Sequence, residues 1–199
     1  MRSIRYILIF IAFLASPAAF AVEILDAQVE KKGDRYYVFG SSLVQATPEF
    51  IYATLMDFDN FHKLAGGIKE TRFVESDRPG EILGYTRIES CVLFFCRRAD
   101  KLERIEAVPY SEIRVEAIPA ESDFIVNNSR WVLTRQGDAT LLNYEAEFEP
   151  DFWLPPLISS WAIKRKLVDS AKSIGMNIEY LAQHGLTLAQ IRDEEEEKN

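Results

Sequence analysis

The strongest constraint on this chain is one apolar stripe near its C-terminal end. Across residues 158–183, Ile163, Leu167, Ala171, Ile174, Ile178 and Leu181 recur at helical spacing and so share one face of an α-helix. Asp169, Lys172, Asn177 and Glu179 fall mostly on the other side. Pro155-Pro156 lets a helix begin just after it but not run through it. His184-Gly185 supplies the stop, because glycine takes the left-handed conformation past a last turn without strain. Roughly 26 residues at 1.5 Å each make a helix about 39 Å long. In a chain of 199 residues such a helix needs a broad apolar partner.

The upstream chain supplies strands. Residues 23–30 read as a short strand, Lys31-Lys32-Gly33-Asp34 as a turn, and residues 35–46 alternate aromatic and small side chains as a strand does. Thr47-Pro48 then changes the pattern: threonine caps, proline takes the first helical position, and Ile51, Leu55 and Phe58 follow at helical spacing. A second helical piece over residues 60–64 closes at Gly66-Gly67. From Ile68 the chain reads as an antiparallel meander, with strands expected at 68–76, 82–90, 97–107, 112–118, 124–135 and 140–149. Turns fall between them, at Asp77 to Gly80, Cys91 to Cys96, Pro109 to Ser111, Pro119 to Asp123 and Gly137-Asp138. Ile113, Val115 and Ala117 alternate with charged neighbours, and Leu142, Tyr144, Ala146 and Phe148 make the apolar face of the last strand. One apolar sheet face and one apolar helix face bury each other if the sheet curls around the helix. The expected class is α+β: a curved antiparallel sheet of about seven strands around a long C-terminal α-helix.

Hydrophobic content of 48% with 12% aromatics excludes a disordered chain, and a net charge of −8 argues against nucleic acid as a partner. The N-terminus has its own grammar. Arg2 and Arg5 precede the apolar run from Tyr6 to Leu14, and Ala19-Phe20-Ala21 fits the small-x-small rule of signal peptidase. Residues 1–21 therefore read as a signal peptide cleaved after Ala21; the apolar run is too short to span a bilayer, and a retained anchor is the alternative. Cleavage removes both arginines and takes the net charge from −8 to −10. The expected location is periplasmic or secreted, with a domain over residues 22–185 and an acidic, disordered tail over 186–199. Cys91 and Cys96 are then in an oxidising compartment. If residues 92–95 continued a strand the two would lie about 17 Å apart, beyond the reach of a bridge. If those residues form a hairpin turn, the cysteines face each other and pair.

Residues that carry chemistry are few. His184 ends the long helix, where the dipole favours a cation, and His62 lies on the short second helix. No histidine or cysteine pattern has metal spacing, and there is no phosphate loop or nucleophile elbow. No catalytic residue, metal or cofactor is assigned. Glu145 and Glu147 alternate on a polar strand face, while Arg87, Arg104, Arg130 and Asn128 sit on strands with either face open to them. Trp131 and Tyr144 belong to core-facing positions and carry hydrogen-bonding tips. Gly175 interrupts the long helix at a cost of about 1 kcal/mol relative to alanine, so a strand or ligand approaches there or the helix bends.

Several stretches resemble a known superfamily. Ser42-Leu43-Val44-Gln45-Ala46-Thr47-Pro48 leads into Ile51, Leu55 and Met56-Asp57-Phe58-Asp59-Asn60-Phe61; Ser129-Arg130-Trp131-Val132-Leu133 and the closing helix follow. Over residues 35–183 the chain resembles the START/Bet v 1 superfamily, in its polyketide-cyclase and coenzyme-Q-binding (Coq10-like) branch. The resemblance implies a helix-grip fold with a cavity between sheet and helix. Phe58, Phe61, Tyr85, Trp131, Tyr144 and Gly175 are the ligand-binding residues it points to. The expected function is to hold a hydrophobic small molecule such as a lipid, isoprenoid or quinone. The alternatives are a cyclase- or hydrolase-type enzyme in the same cavity, and an assembly factor that binds a protein there. The shortage of catalytic side chains favours the carrier.

In an up-and-down meander, alternate turns share one end of the sheet. The turns at 91–96, 119–123 and 151–156 then bring Phe94, Phe95 and Trp153 together, beside Trp161 and the cations Lys164, Arg165 and Lys166. Aromatics beside cations suit a bilayer's headgroup region, so this end is expected to dock on a membrane surface or a lipid-bearing protein. The alternative has Leu93 and Phe95 folding inward to cap the core.

Overall fold

The computed structural model describes residues 22–92, 95–155 and 160–191. In order, these form β1 (Glu23–Lys32), β2 (Arg35–Val44), α1 (Pro48–Met56), a 3₁₀ helix (Phe58–Leu64), β3 (Ile68–Val74) and β4 (Ile82–Val92). β5 (Phe95–Val108), β6 (Glu112–Ser122), β7 (Phe124–Gln136), β8 (Ala139–Pro150) and α2 (Ser160–His184) follow. All strands join one antiparallel sheet in the order β1-β2-β8-β7-β6-β5-β4-β3. Thr47 caps α1 through Phe50 N, with Pro48 in the first turn, and the two short helices carry the chain from β2 to the far edge. The meander from β3 then returns to β2, against which β8 pairs from Tyr36↔Phe148 to Val44↔Thr140. The sheet has eight strands where about seven were expected, since every stretch read as a strand joins it. β1 is included and pairs with β2 from Glu23↔Leu43 to Lys32↔Arg35, with a register shift between Ile24 and Asp26.

Two turns are tighter than the sequence suggests. β6 runs through Pro119 to Ser122, and the proline falls where the β5–β6 register shifts between Lys101↔Ser122 and Glu103↔Ala117. No ladder N–H is needed at such a bulge. β4 and β5 reach Val92 and Phe95, which pair, so only residues 93–94 connect them. Cys91 and Cys96 face each other across the two strands and form a disulfide.

The C-terminal half of α2 is embedded in the main core. Ile174, Ile178 and Leu181 pack with Val44, Ile51, Leu64, Ile113 and Leu142. Polar ties reinforce the packing: Gln45 N donates to Glu179 Oε1 (2.7 Å), and Asn177 Nδ2 and Ser173 Oγ donate to the Leu64 carbonyl (3.0 and 3.3 Å). Glu179, expected on the polar face, is therefore buried, because the chain leaving β2 presents it with a backbone donor. The N-terminal half is held more loosely. Ile163 is buried beside Tyr36, Leu167 is half-buried, and Ala171, expected on the gripped face, is exposed. The helix stands away from the sheet at that point.

Past Gly185 the fold continues. Leu188 is buried in the main core, a Thr187–Gln190 capping box closes the short 3₁₀ turn, and Lys63 Nζ donates to the Ile191 carbonyl (3.1 Å). Ordered structure thus runs six residues beyond the expected boundary at 185, through Ile191. Residues 1–21, expected to be a signal peptide, and the acidic run 193–197 lie outside the described residues.

Gly175 answers its own question. A Cβ there would stand 2.7 and 2.9 Å from the Val22 methyls, so it is the segment entering β1 that approaches the helix. Gly175→Ala gains about 1 kcal/mol of helix propensity and meets an overpacking cost of about 1–3 kcal/mol. Denaturation should show it destabilising in the native background and stabilising when combined with Val22→Ala. Stabilisation with Val22 intact would contradict the close approach. Thiol titration of the denatured, unreduced protein should detect no reactive thiol; two would remove the disulfide.

Candidate functional site

Because α2 is anchored at its C-terminal half and turns small residues toward the sheet (Ser170, Ala171, Gly175), space remains beneath it. Small residues on the sheet face opposite, among them Gly40, Ser42, Ala99 and Ser129, deepen that space. The result is a cavity of about 460 Å³, with a mostly aliphatic and aromatic wall. That volume lies within the range of small-molecule sites.

Five of the six residues expected to bind ligand line it. Phe58 lies under β4, where a Cβ at Gly84 would come within 2.5 Å of its ring, and Phe61 stacks on Phe58 at 6.2 Å. Trp131 and Tyr144 pair across β7 and β8 with ring centroids 4.4 Å apart, and Gly175 closes the roof. Tyr85 does not line the cavity. Strand alternation sends Thr86, Ile88 and Ser90 inward and Tyr85 outward, where its hydroxyl donates to Asp100 Oδ1 (2.6 Å) and Arg72 lies over its ring (4.5 Å). Burial and that hydrogen bond raise the Tyr85 pKa. Arg87, Arg104 and Arg130 share the outer face, paired with Asp100, Glu81 and Glu112, and Asn128 donates to Glu147 there. The His62 ring contacts Thr71, and the His184 ring contacts the Tyr180 carbonyl, which leaves both histidines in local structural roles.

The wall also holds a polar cluster that the residue pattern did not single out. Lys101 and Glu103 form an ion pair, both nearly inaccessible. Glu103 Oε1 accepts from Thr86 Oγ1 (2.6 Å), and Lys101 Nζ donates to Asn127 Oδ1 (3.2 Å). Tyr144, which contacts Ser129, faces the same space. The signal was present: Lys101 and Glu103 share the parity of Ala99 and Ile105, both buried. Among the described residues no group of three His, Cys, Asp or Glu side chains could hold a metal ion.

At the cavity's mouth the expected turns meet. Asp151 N donates to the Asp123 carbonyl (3.0 Å), which ties the exit of β8 to the β6–β7 turn. Phe95, half-buried and lining the cavity, meets Trp153 edge-on at 6.4 Å, while Trp153 is 70% exposed. Phe152 packs on Phe124 (6.0 Å) beneath the Arg97 guanidinium (4.7 Å). Strand polarity brings the β1–β2 turn, with Lys31 and Lys32, to this end as well. Of the residues expected to dock, Phe95 turns inward, Trp153 faces solvent, and Phe94, with its neighbour Leu93, lies outside the described residues.

No protein-family model matches the chain, and no curated protein sequence matches it. Solved structures do. The Zhui aromatase/cyclase from Streptomyces sp. R1128 is similar with a TM-score of 0.59 at 11% identity, over 78% of this chain and 98% of that one. A STAR-related lipid transfer protein from Xanthomonas axonopodis gives 0.58 at 14% identity, over 76% and 98%. A START superfamily protein from Mycobacterium smegmatis gives 0.57 at 16%, over 74% and 97%. The fold is the helix-grip fold. At these identities the likeness is one of architecture.

The helix-grip cavity makes one alkaline prediction. Part of the Tyr144 surface is accessible, but it borders the cavity and not bulk water. Burial first, then the charge of Glu103, push its phenol up to about 12, against a hydrogen bond with Ser129 that works the other way. A pKa raised on folding stabilises fully below the ordinary value near 10 and is lost as the pH climbs through the raised one. The urea midpoint should therefore fall from about pH 10 upward, with a shallower fall in Tyr144→Phe. Parallel curves would place Tyr144 in contact with solvent.

Proposed function

We propose that this chain binds a hydrophobic small molecule, a lipid, isoprenoid or quinone-like compound, in the cavity between sheet and α2, and works in the periplasm or outside the cell. The observation that carries the reading is the apolar cavity itself, left open by small residues on both walls. An interior that was only a core would be filled to close packing. The Cys91–Cys96 disulfide suits an oxidising compartment, in agreement with the N-terminal signal-peptide pattern. The mouth docks transiently on a membrane, with Trp153 as the exposed aromatic and Trp161, Lys164, Arg165 and Lys166 beside it in α2. A second reading, a cyclase- or hydrolase-type reaction in the same cavity, is favoured by the Lys101–Glu103 pair beside Tyr144.

Native mass spectrometry of protein purified from its own periplasm should reveal a bound molecule that organic solvent extracts unchanged. Ala171→Trp, at an exposed helix position over the cavity, should abolish that adduct while the melting temperature holds. A cavity that stays empty on native purification and after presentation of periplasmic lipid extract would sink the carrier reading. Chemical conversion of added extract, lost in Glu103→Gln, would establish the enzyme instead. For the docking end, Trp153→Ser should reduce co-sedimentation with anionic liposomes several-fold. Equal sedimentation of the variant, or none by the wild type, would rule docking out.

A further inference from the structure

The residues lining the cavity that are charged at neutral pH, among the described residues, are Asp26, Arg97, Lys101, Glu103, Lys164 and Lys166. Four cations against two carboxylates leave an excess of positive charge, in a chain whose 31 acidic residues outnumber 23 basic ones. The excess is not spread evenly. Deep in the wall, Lys101 and Glu103 neutralise each other. Asp26 accepts from Ala27 N and Gln28 Nε2, both at 2.7 Å. Arg97, Lys164 and Lys166 have no carboxylate partner among the described residues, and all three are exposed. Every other described strand arginine is ion-paired. Arg97 instead lies over the Phe152 ring, two residues along β5 from Phe95.

Lys164 and Lys166 occupy the early turns of α2, whose first turn carries no acidic residue. Helix N-termini ordinarily favour carboxylates, and the positive end of the helix dipole adds to the field of the side chains. Two elements thus point unneutralised positive charge at one opening, above a chamber walled by Phe58, Trp131 and Ile105. We infer that the ligand is an amphiphile with one anionic headgroup, a carboxylate or a phosphate. Its tail fills the cavity, and its headgroup stays at the mouth against Arg97, Lys164 and Lys166. The inference rests on the reading of the cavity as a ligand site, and it fixes the direction of entry. An anion carried to the Lys101–Glu103 pair would meet no net countercharge and would lose its hydration. At the mouth it keeps part of its water and gains three donors.

Displacement of a neutral fluorescent dye, N-phenyl-1-naphthylamine, in vesicle-free solution tests this. Four competitors share one oleoyl or oleyl chain and are used below their aggregation concentrations: oleate, oleoyl lysophosphatidate, oleyl alcohol and monoolein. At least one anion should displace the dye about tenfold more tightly than the neutral pair, with the gap narrowing as salt rises. Its preference over the other anion identifies carboxylate or phosphate. Arg97→Gln/Lys164→Gln/Lys166→Gln, all at exposed positions, should lose that preference at an unchanged melting temperature. If all four compounds compete equally in wild type and variant, the headgroup inference is overturned while the cavity reading stands. If neither dye nor any competitor binds, both fall.

Discussion

Much in this fold follows from how unevenly the long helix is gripped: firmly at its C-terminal half, and near its start through Ala162 and Ile163 alone. Ile174, Ile178 and Leu181 are packed into the main core, and Glu179, Asn177 and Ser173 are tied to backbone groups of the chain leaving β2 and of the 3₁₀ helix. Those contacts fix the axis of α2. Its other half then projects over the sheet whether or not it fills the space below. With Ser170, Ala171 and Gly175 facing that space it does not fill it. Larger residues at Ser170 and Ala171 would restore dispersion contacts and narrow the cavity, whereas at Gly175 the Val22 methyls already occupy the place of a side chain. The void is a property of which side chains are small, set against a rigid frame that cannot collapse onto them.

The sheet divides its charges by the same period-two rule that divides its apolar residues. On the outer face, side-chain hydrogen bonds lower the carboxylates and raise the guanidinium groups: Glu112 is lowered by Arg130, Glu81 first by the Ser76 hydroxyl and then by Arg104, and Arg130 and Arg104 are raised by these partners. Solvated pairs of this kind contribute little to stability, because water and salt screen them. Asp100 shows the balance of forces: burial pushes its pKa up, but hydrogen bonds from Tyr85 and Arg87 outweigh burial and lower it. Lys101–Glu103 differs because it lies inside. Losing either member would leave a buried charge alone, at a cost of about 3–5 kcal/mol, so the pair behaves as one neutral polar unit.

How much of this was legible depends on whether a feature is local. The long helix, the meander and the paired cysteines follow from spacing along the chain, and the structure contains all of them. Phe58 and Tyr144 were readable as inward-facing because their apolar neighbours repeat at one period, and Trp131 was assigned to a core-facing strand position, whereas Phe61 was indicated only by the family resemblance. Tyr85 was not, since residues 82–90 place apolar or aromatic side chains at both parities; the Arg87–Asp100 pairing decides which face is out. Lys101 and Glu103 went unread for the opposite reason: charge in a strand suggests solvent, and only the parity of Ala99 and Ile105 contradicts it. Ala171 and Glu179 depend on how far the helix stands from the sheet along its length. That distance is set by tertiary contacts, and no periodicity within the helix encodes it.

The disulfide belongs to this geometry more than to overall stability. With a sequence separation of 5, it closes a very short loop. Chain entropy credits such a loop with about 2 kcal/mol, well under the ~4.7 kcal/mol of a 100-residue loop. Its effect is therefore local. Cys91 and Cys96 have exposed side chains on the β4–β5 hairpin, while Ser90 and Phe95, adjacent to them in sequence, line the cavity. The bridge occupies none of the ligand space. It clamps two strands one residue pair short of a tip that would otherwise fray, and so holds Phe95 against Trp153 and Arg97 near Phe152. A mouth built from strand ends and a helix start, with no element crossing it among the described residues, needs such a clamp if its apolar and cationic groups are to keep their places.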